Sequence, residues 1–391
     1  MAQIVNQYLT DVRDRAGGRG LTGIVHTESG VLASDQGTVL AEVLVPRAVR
    51  NMVERRGPQS VIIVPDGALH ELPFDALLIE RSPTAKYLLD VFPPIAYAPS
   101  ANILMNLLQR PPPDAKIVGT LTVGNPKYLE MQTVATASGD ASQPEAANAA
   151  AMKPNKLAPI DPLPPHSLSD VSRAAYLGLG GRLPALPATA RECQRIAKAF
   201  EGRKVTMLLA EQATEQGFRD HIAGCRFIHV AAHGLVDQQP GNLFGAIALT
   251  PPTNPSASAS DDGFLSVHEI FNLPISGCEL VVLSACQTNV GPDRPLEAGS
   301  TIAQAFLAAG ARRAICSHWN VDDASTAELM GTLFERIANA TPNSAAGDQP
   351  DFHEVVSYAQ NLHDAQLKVR SQPQWSSPYY WAPFVLIGPP R

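Results

Sequence analysis

The strongest constraint on the fold is an alternation through the carboxyl-terminal half, where short apolar, β-branched runs are separated by amphipathic stretches with helical spacing. Segments 205–209, 227–232 (FIHVAA), 279–285 (ELVVLSA), 313–319 (RAICSHW) and 384–388 (FVLIG) read as strands, and 188–200, 297–309, 323–338 and 353–370 as helices. Strands that are apolar on both faces cannot leave either face of their sheet in water. The pattern therefore predicts an α/β fold, a three-layer sandwich with a mostly parallel central sheet and helices on both faces. Upstream, 61–65 (VIIVP) runs into Pro65-Asp66-Gly67 and 117–123 (IVGTLTV) into Gly124-Asn125-Pro126, two more buried strands each stopped by a turn. Residues 1–50 are mixed in character.

At 391 residues and 45% hydrophobic composition the chain can bury one large core or two modest ones. Its composition divides it into an amino-terminal region 1–130, a segment 131–182 and a carboxyl-terminal region 183–391. In 131–182, Ala, Pro, Ser, Asn and Gly displace β-branched residues, which predicts a disordered or loosely packed insertion unable to offset its ordering entropy. The stretches 250–263 and 340–350 read as surface loops. A net charge of −7 without any run of Lys and Arg argues against nucleic acid as a partner. No apolar run approaches the roughly 18–20 residues of a membrane-spanning helix, and the first residues lack the features of a secretory signal, so a cytoplasmic location without membrane insertion is expected. Five cysteines, with no C-x-x-C pair, suit a reducing compartment. No disulfide framework, metal or cofactor is expected from them.

In an open parallel sheet a reactive residue just beyond a strand's carboxyl end points into the ligand crevice. Two strands here end that way, FIHVAA at His233-Gly234 and ELVVLSA at Cys286-Gln287. The two candidates are 53 residues apart, close to the interval of about 50 between the caspase histidine and cysteine. A cysteine attacks as thiolate, and an imidazole can draw its proton and later deliver it to a leaving amine. Gly234 and Cys286 would supply backbone N–H donors for an oxyanion. Taken singly, a cysteine after an apolar strand is more often inert core and His-Gly an ordinary turn; the joint placement carries the reading. A third group to orient the imidazole is not selected, since Asp237 reads equally well as a loop acid.

The segments PDGALHELPFDAL (65–77), YAPSANIL (97–104), LPALPATARE (183–192), IHVAAHG (228–234), DGFLSVHEIFNL (262–273), VVLSACQT (281–288), AFLAAGARRAICSHWNVDD (305–323) and PYYWAPFVLIG (378–388) resemble the CHAT family of caspase-like peptidases. The resemblance covers about residues 58–388 apart from the insertion. It implies a caspase-like fold, thiol endopeptidase activity and His233 with Cys286 as the dyad. It further implies that Trp319, Val321 and Asp323 wall a substrate cleft, although Asp323 reads equally well as a helix N-cap. Ser284 stands where basic-specific members of the wider caspase-like group carry an acid, so a preference for Arg or Lys is not implied. The partners implied are a protein substrate, such as an effector in a bacterial regulatory or defence system, and a regulatory or recruiting protein. The competing reading is a catalytically silent scaffold that binds partner proteins.

Other signals are set aside. Gly18, Gly20 and Gly23 spell G-x-G-x-x-G, but a charged stretch precedes them where a dinucleotide site needs an apolar strand. His229 and His233 are four apart in a strand, without the H-E-x-x-H of a zinc helix, and His229 reads as a packed strand residue. His70 and His318 read as structural. Neither a P-loop nor a G-x-S-x-G elbow occurs.

Overall fold

The computed structural model describes residues 1–14, 33–81, 85–114, 116–128, 183–235, 245–252, 261–284, 297–319, 322–341 and 356–391. The insertion expected at 131–182 lies outside them, as do most of the two expected loops. Thirteen strands follow in order: β1 Val61–Ile63, β2 Leu78–Glu80, β3 Lys86–Tyr87, β4 Ile95–Tyr97, β5 Gly119–Pro126, β6 Val205–Ala210, β7 Cys225–Ala231, β8 His233–Leu235, β9 Ala246–Ala248, β10 Phe264–Ser266, β11 Leu280–Leu283, β12 Ala314–Ser317 and β13 Phe384–Ile387. Eight of them form one sheet in the order β1-β4-β13-β12-β11-β7-β5-β6. All its ladders are parallel except β12 with β13. The sheet is thus two parallel blocks, of five and three strands, joined by a single antiparallel seam.

The five-strand block explains where a site can form. In chain order β5, β6, β7, β11, β12 it reads 2-1-3-4-5, with β6 on one side of β5 and β7 on the other. Parallel crossovers are right-handed, so the helix Pro187–Ala199 after β5 and the helix Glu215–Ile222 after β6 cover opposite faces. Helix Asp323–Ala340 packs between Pro187–Ala199 and Tyr358–Arg370 on one side; Val267–Ile270 and Glu297–Ala309 pack together on the other. Chain segments leaving β5 and β7 therefore part to opposite faces, and the crevice between them opens at their carboxyl ends.

Burial follows the sequence pattern. Every residue of β11, β12 and β13 is buried, and β7 is buried at all positions but Arg226. Each fully buried aliphatic side chain there contributes roughly 1.5–3 kcal/mol. The helix expected at 188–200 begins one residue earlier, at Pro187, whose missing N–H costs nothing in a first turn. The helix expected at 353–370 starts at Tyr358, where Ser357 accepts the N–H of Gln360 at 3.2 Å. Residues 1–50, without a clear period, hold the helices Ala2–Asp14 and Ala33–Leu44 and the start of Arg47–Arg56. The last of these buries none of its residues, which is why no apolar stripe marks it.

A second small sheet, β10-β9-β8, was not legible as such. The chain leaves β7 at Ala231, and His233 opens β8, opposite Ala248 in an antiparallel ladder. Glu215 anchors the far side: its Oε1 accepts the N–H groups of Asp262, Gly263 and Phe264 at 3.0, 2.8 and 3.1 Å, where the chain enters β10. Among the described residues no helix is long and apolar enough to cross a membrane.

Candidate active site

His233 sits where the chain passes from the large sheet to the small one, and it is 2% exposed. Its Nε2 lies 2.7 Å from the carbonyl oxygen of Pro184. A carbonyl only accepts, so Nε2 carries the proton and donates it, and Nδ1 is the unprotonated nitrogen of the neutral ring. The backbone N–H of His233 donates to the Tyr128 hydroxyl at 3.2 Å, and the two rings are 5.2 Å apart at 44°. Tyr128 follows β5 and Pro184 precedes the next helix. Both contacts therefore cross the crevice that the topology creates between β5 and β7.

The electrostatics oppose one another. Burial holds the imidazole below its ordinary value, against the pull of the Pro184 carbonyl and of the Asp323 carboxylate. Asp323 is itself raised, first by burial and then by Asp322 and Glu192, with His233 and Arg191 acting the other way. A buried histidine with a fixed tautomer and a carboxylate within electrostatic reach suits proton transfer near neutrality.

The remaining expected residues fall as follows. Cys286 and Val321 lie outside the described residues. Ser284, two positions before Cys286, is half-buried at the end of β11, and its N–H donates to the Val230 carbonyl at 2.9 Å. β11 is the direct neighbour of β7, with Leu283 opposite Val230, so the strands leading to Cys286 and His233 end side by side. Gly234 is buried in β8 opposite Ile247 rather than in an open turn. Trp319 is 2% exposed, its indole N–H donating to the Tyr379 carbonyl at 3.0 Å with the Arg13 guanidinium over its ring. It supports its loop from within the core and offers no open wall. The N-cap of the helix Asp323–Ala340 is Asp322, which accepts the N–H of Ser325 at 2.8 Å; Asp323 is one step inside, free of the capping duty that its sequence position allowed.

The four described cysteines, Cys193, Cys225, Cys278 and Cys316, are all buried. Burial pushes the Cys193 thiol up to about 12 and Cys225 to about 11, and raises Cys278 as well, which leaves these three inert at neutral pH. Among the described residues no group of three or more His, Cys, Asp or Glu side chains is placed to hold a metal ion.

The CHAT domain model matches residues 34–389. The chain belongs to the CHAT domain family. No curated protein sequence matches this CHAT chain. Among solved structures it is similar to the Arg-specific cysteine proteinase gingipain R, RgpB, with a TM-score of 0.49 and 10% identity over 98% of this chain and 75% of that one. A complex of Porphyromonas gingivalis RgpB pro- and mature domains gives 0.46 and 10% over 98% and 77%. The Saccharomyces cerevisiae separase–securin complex gives 0.43 and 13% over 90% of this chain and 17% of that one. These likenesses are distant, and the functional reading rests on the family match and on the geometry at His233.

Sequence reasoning missed Pro184 and Tyr128. The Pro184 contact is made by a backbone oxygen, which every residue possesses, so no side-chain signal marks it. Tyr128 is separated from His233 by 105 positions.

Proposed function

We propose that this CHAT-domain chain is a cysteine endopeptidase in which Cys286 is the nucleophile and His233 the general acid/base. The observation that carries the reading is the hydrogen bond from His233 Nε2 to the Pro184 carbonyl. It leaves Nδ1 as the proton-accepting nitrogen, just past the end of β7, the neighbour of the strand β11 that leads to Cys286. Nδ1 takes the thiol proton, and the thiolate attacks the carbonyl carbon of the scissile bond. The resulting oxyanion is held by the backbone N–H groups of Cys286 and Gly234. His233 then protonates the leaving amine, the C–N bond breaks, and a thioester remains on Cys286. Water, giving its proton to Nδ1, hydrolyses that thioester and releases the acid. The Pro184 carbonyl here does the work of a third group, holding the tautomer and stabilising the imidazolium.

Ser284, Val321 and Asp323 frame the cleft in this reading, and Trp319 supports their segment from the core. The substrate is an extended segment of a partner protein in the cytoplasm. The test is cleavage of a diverse unstructured peptide library by the wild-type chain and by Cys286→Ala, read by mass spectrometry. Cleavage is expected for the wild type and lost at least about 10³-fold in the variant. No wild-type cleavage with candidate partners present, together with an unreactive Cys286 thiol, would favour a scaffold that binds without cutting.

A further inference from the structure

A buried polar chain close to His233 has no part in the chemistry above. Glu192, on the helix Pro187–Ala199, is 2% exposed, and His229, four residues before His233, is 0% exposed. Nε2 of His229 lies 2.7 Å from Glu192 Oε1, and Nδ1 lies 2.9 Å from Thr122 Oγ1 on β5. With Nε2–H donating to the carboxylate and Nδ1 accepting from the hydroxyl, each bond is satisfied. Such a chain is expensive to bury, and an apolar set of similar volume is often as stable or more so. Stability alone therefore gives no reason for it.

Its geometric effect is specific. It ties the helix to β7 and β5 at one level of the sheet. The segment entering that helix carries Pro184, whose carbonyl holds His233, while the strand bearing His229 is the one that delivers His233. Thr189, near the helix start, makes a second tie, accepting the N–H of Asn125 and donating to the Leu186 carbonyl, both at 2.7 Å. Glu192 also acts electrostatically on Asp323, which in turn acts on His233. A displacement on the order of 1 Å at a reacting group costs about 10²-fold in rate, so the placement of Pro184 matters to the reaction.

We infer that Glu192 and His229 are positioning residues for the acid/base histidine: their hydrogen bond sets where the Pro184 carbonyl stands and thereby holds His233 as its Nε2–H tautomer, with Nδ1 unprotonated. The inference rests on the proposed role of His233.

The experiment records ¹⁵N imidazole spectra of the full chain at neutral pH, with His233 assigned by loss of its signals in His233→Gln. The wild type is expected to show one tautomer at His233, protonated at Nε2. Glu192→Ala is expected to mix the two tautomers and to lower kcat about tenfold or more with KM within about twofold. Glu192→Gln, whose side-chain carbonyl still accepts from His229, is expected to restore the single tautomer and most of kcat. Ile196→Ala, equally buried on the same helix, controls for lost packing and is expected to keep the tautomer. Should Glu192→Ala fail to fold, the near-isosteric Thr122→Val breaks the far end of the chain and is expected to mix the tautomers in the same sense. A single Nε2–H tautomer in the chain-breaking variant that folds, or equal mixing in Ile196→Ala, overturns the inference. The spectra need no turnover, so a wild type that does not cleave counts against the proposed function while the tautomer result still decides this one.

Discussion

Two strands of the five-strand block run into a histidine, and the two sites differ instructively. His233 follows β7 by two residues and His318 follows β12 directly. Both are buried, and burial holds both below the ordinary imidazole value. The surroundings then diverge. His233 donates Nε2–H to Pro184 and lies within reach of the Asp323 carboxylate. Nε2 of His318 has no hydrogen-bond partner among the described residues, and burial, then Arg13 and His70, push its value down to about 3. Its ring stacks on Trp319 at 6.5 Å, and it lines a small recess with His70, Tyr97 and Gln304. Position at a strand end is common to both. A proton acceptor needs more: an acceptor that fixes its tautomer and a negative charge that steadies the imidazolium it becomes.

The largest expected effect tests that contrast directly. His233→Ala should lower kcat on a cleaved peptide by about 10²–10⁴-fold, whereas His318→Leu should leave kcat within about threefold. Comparable losses in the two variants would erase the distinction drawn between the sites.

Next in size is a stability effect at His318. Its folded value lies below its unfolded value of 6.5, so between about 6.5 and about 3 the unfolded chain binds a proton that the folded chain does not. Stability should therefore rise with pH across that window, and acidification should cost a few kcal/mol at this residue, on the order implied by about 1.4 kcal/mol per pH unit. Denaturant melts of wild type and His318→Leu at a series of pH values should show a flatter profile in the variant. Parallel profiles would show that His318 is not held neutral.

The smallest effect sharpens the account of His233. Tyr128→Phe removes the oxygen that accepts the His233 N–H and keeps the ring against the imidazole. One hydrogen bond of about 1 kcal/mol corresponds to about a fivefold loss in kcat. A loss as deep as that of His233→Ala would mean that Tyr128 holds the ring and not only the backbone.

Much of the five-strand block was legible because its strands carry their own signal. The runs around 227–232, 279–285 and 313–319 are apolar at consecutive positions and broken by helical periods, and they became β7, β11 and β12. Helix Asp323–Ala340 was likewise placed nearly to its ends. The short strands β8, β9 and β10 carry three residues each, too few for a period, and they exist because Glu215 and the β8–β9 ladder hold them. His229 was read correctly as a packed strand residue, but its partner Glu192 lies 37 positions away on another element.

The sequence by itself determined the fold class, the covered parallel sheet and the two residue types proposed for the chemistry, since these depend on local composition and on where apolar runs stop. Tertiary structure alone decided which nitrogen of His233 carries the proton, which cap the helix at 322 uses and that Trp319 faces the core. The cap is settled by local backbone geometry around Asp322 and Ser325; the other two are settled by contacts to backbone oxygens 49 and 60 positions away, and hydrogen-bond geometry of that kind has no counterpart in the order of side chains.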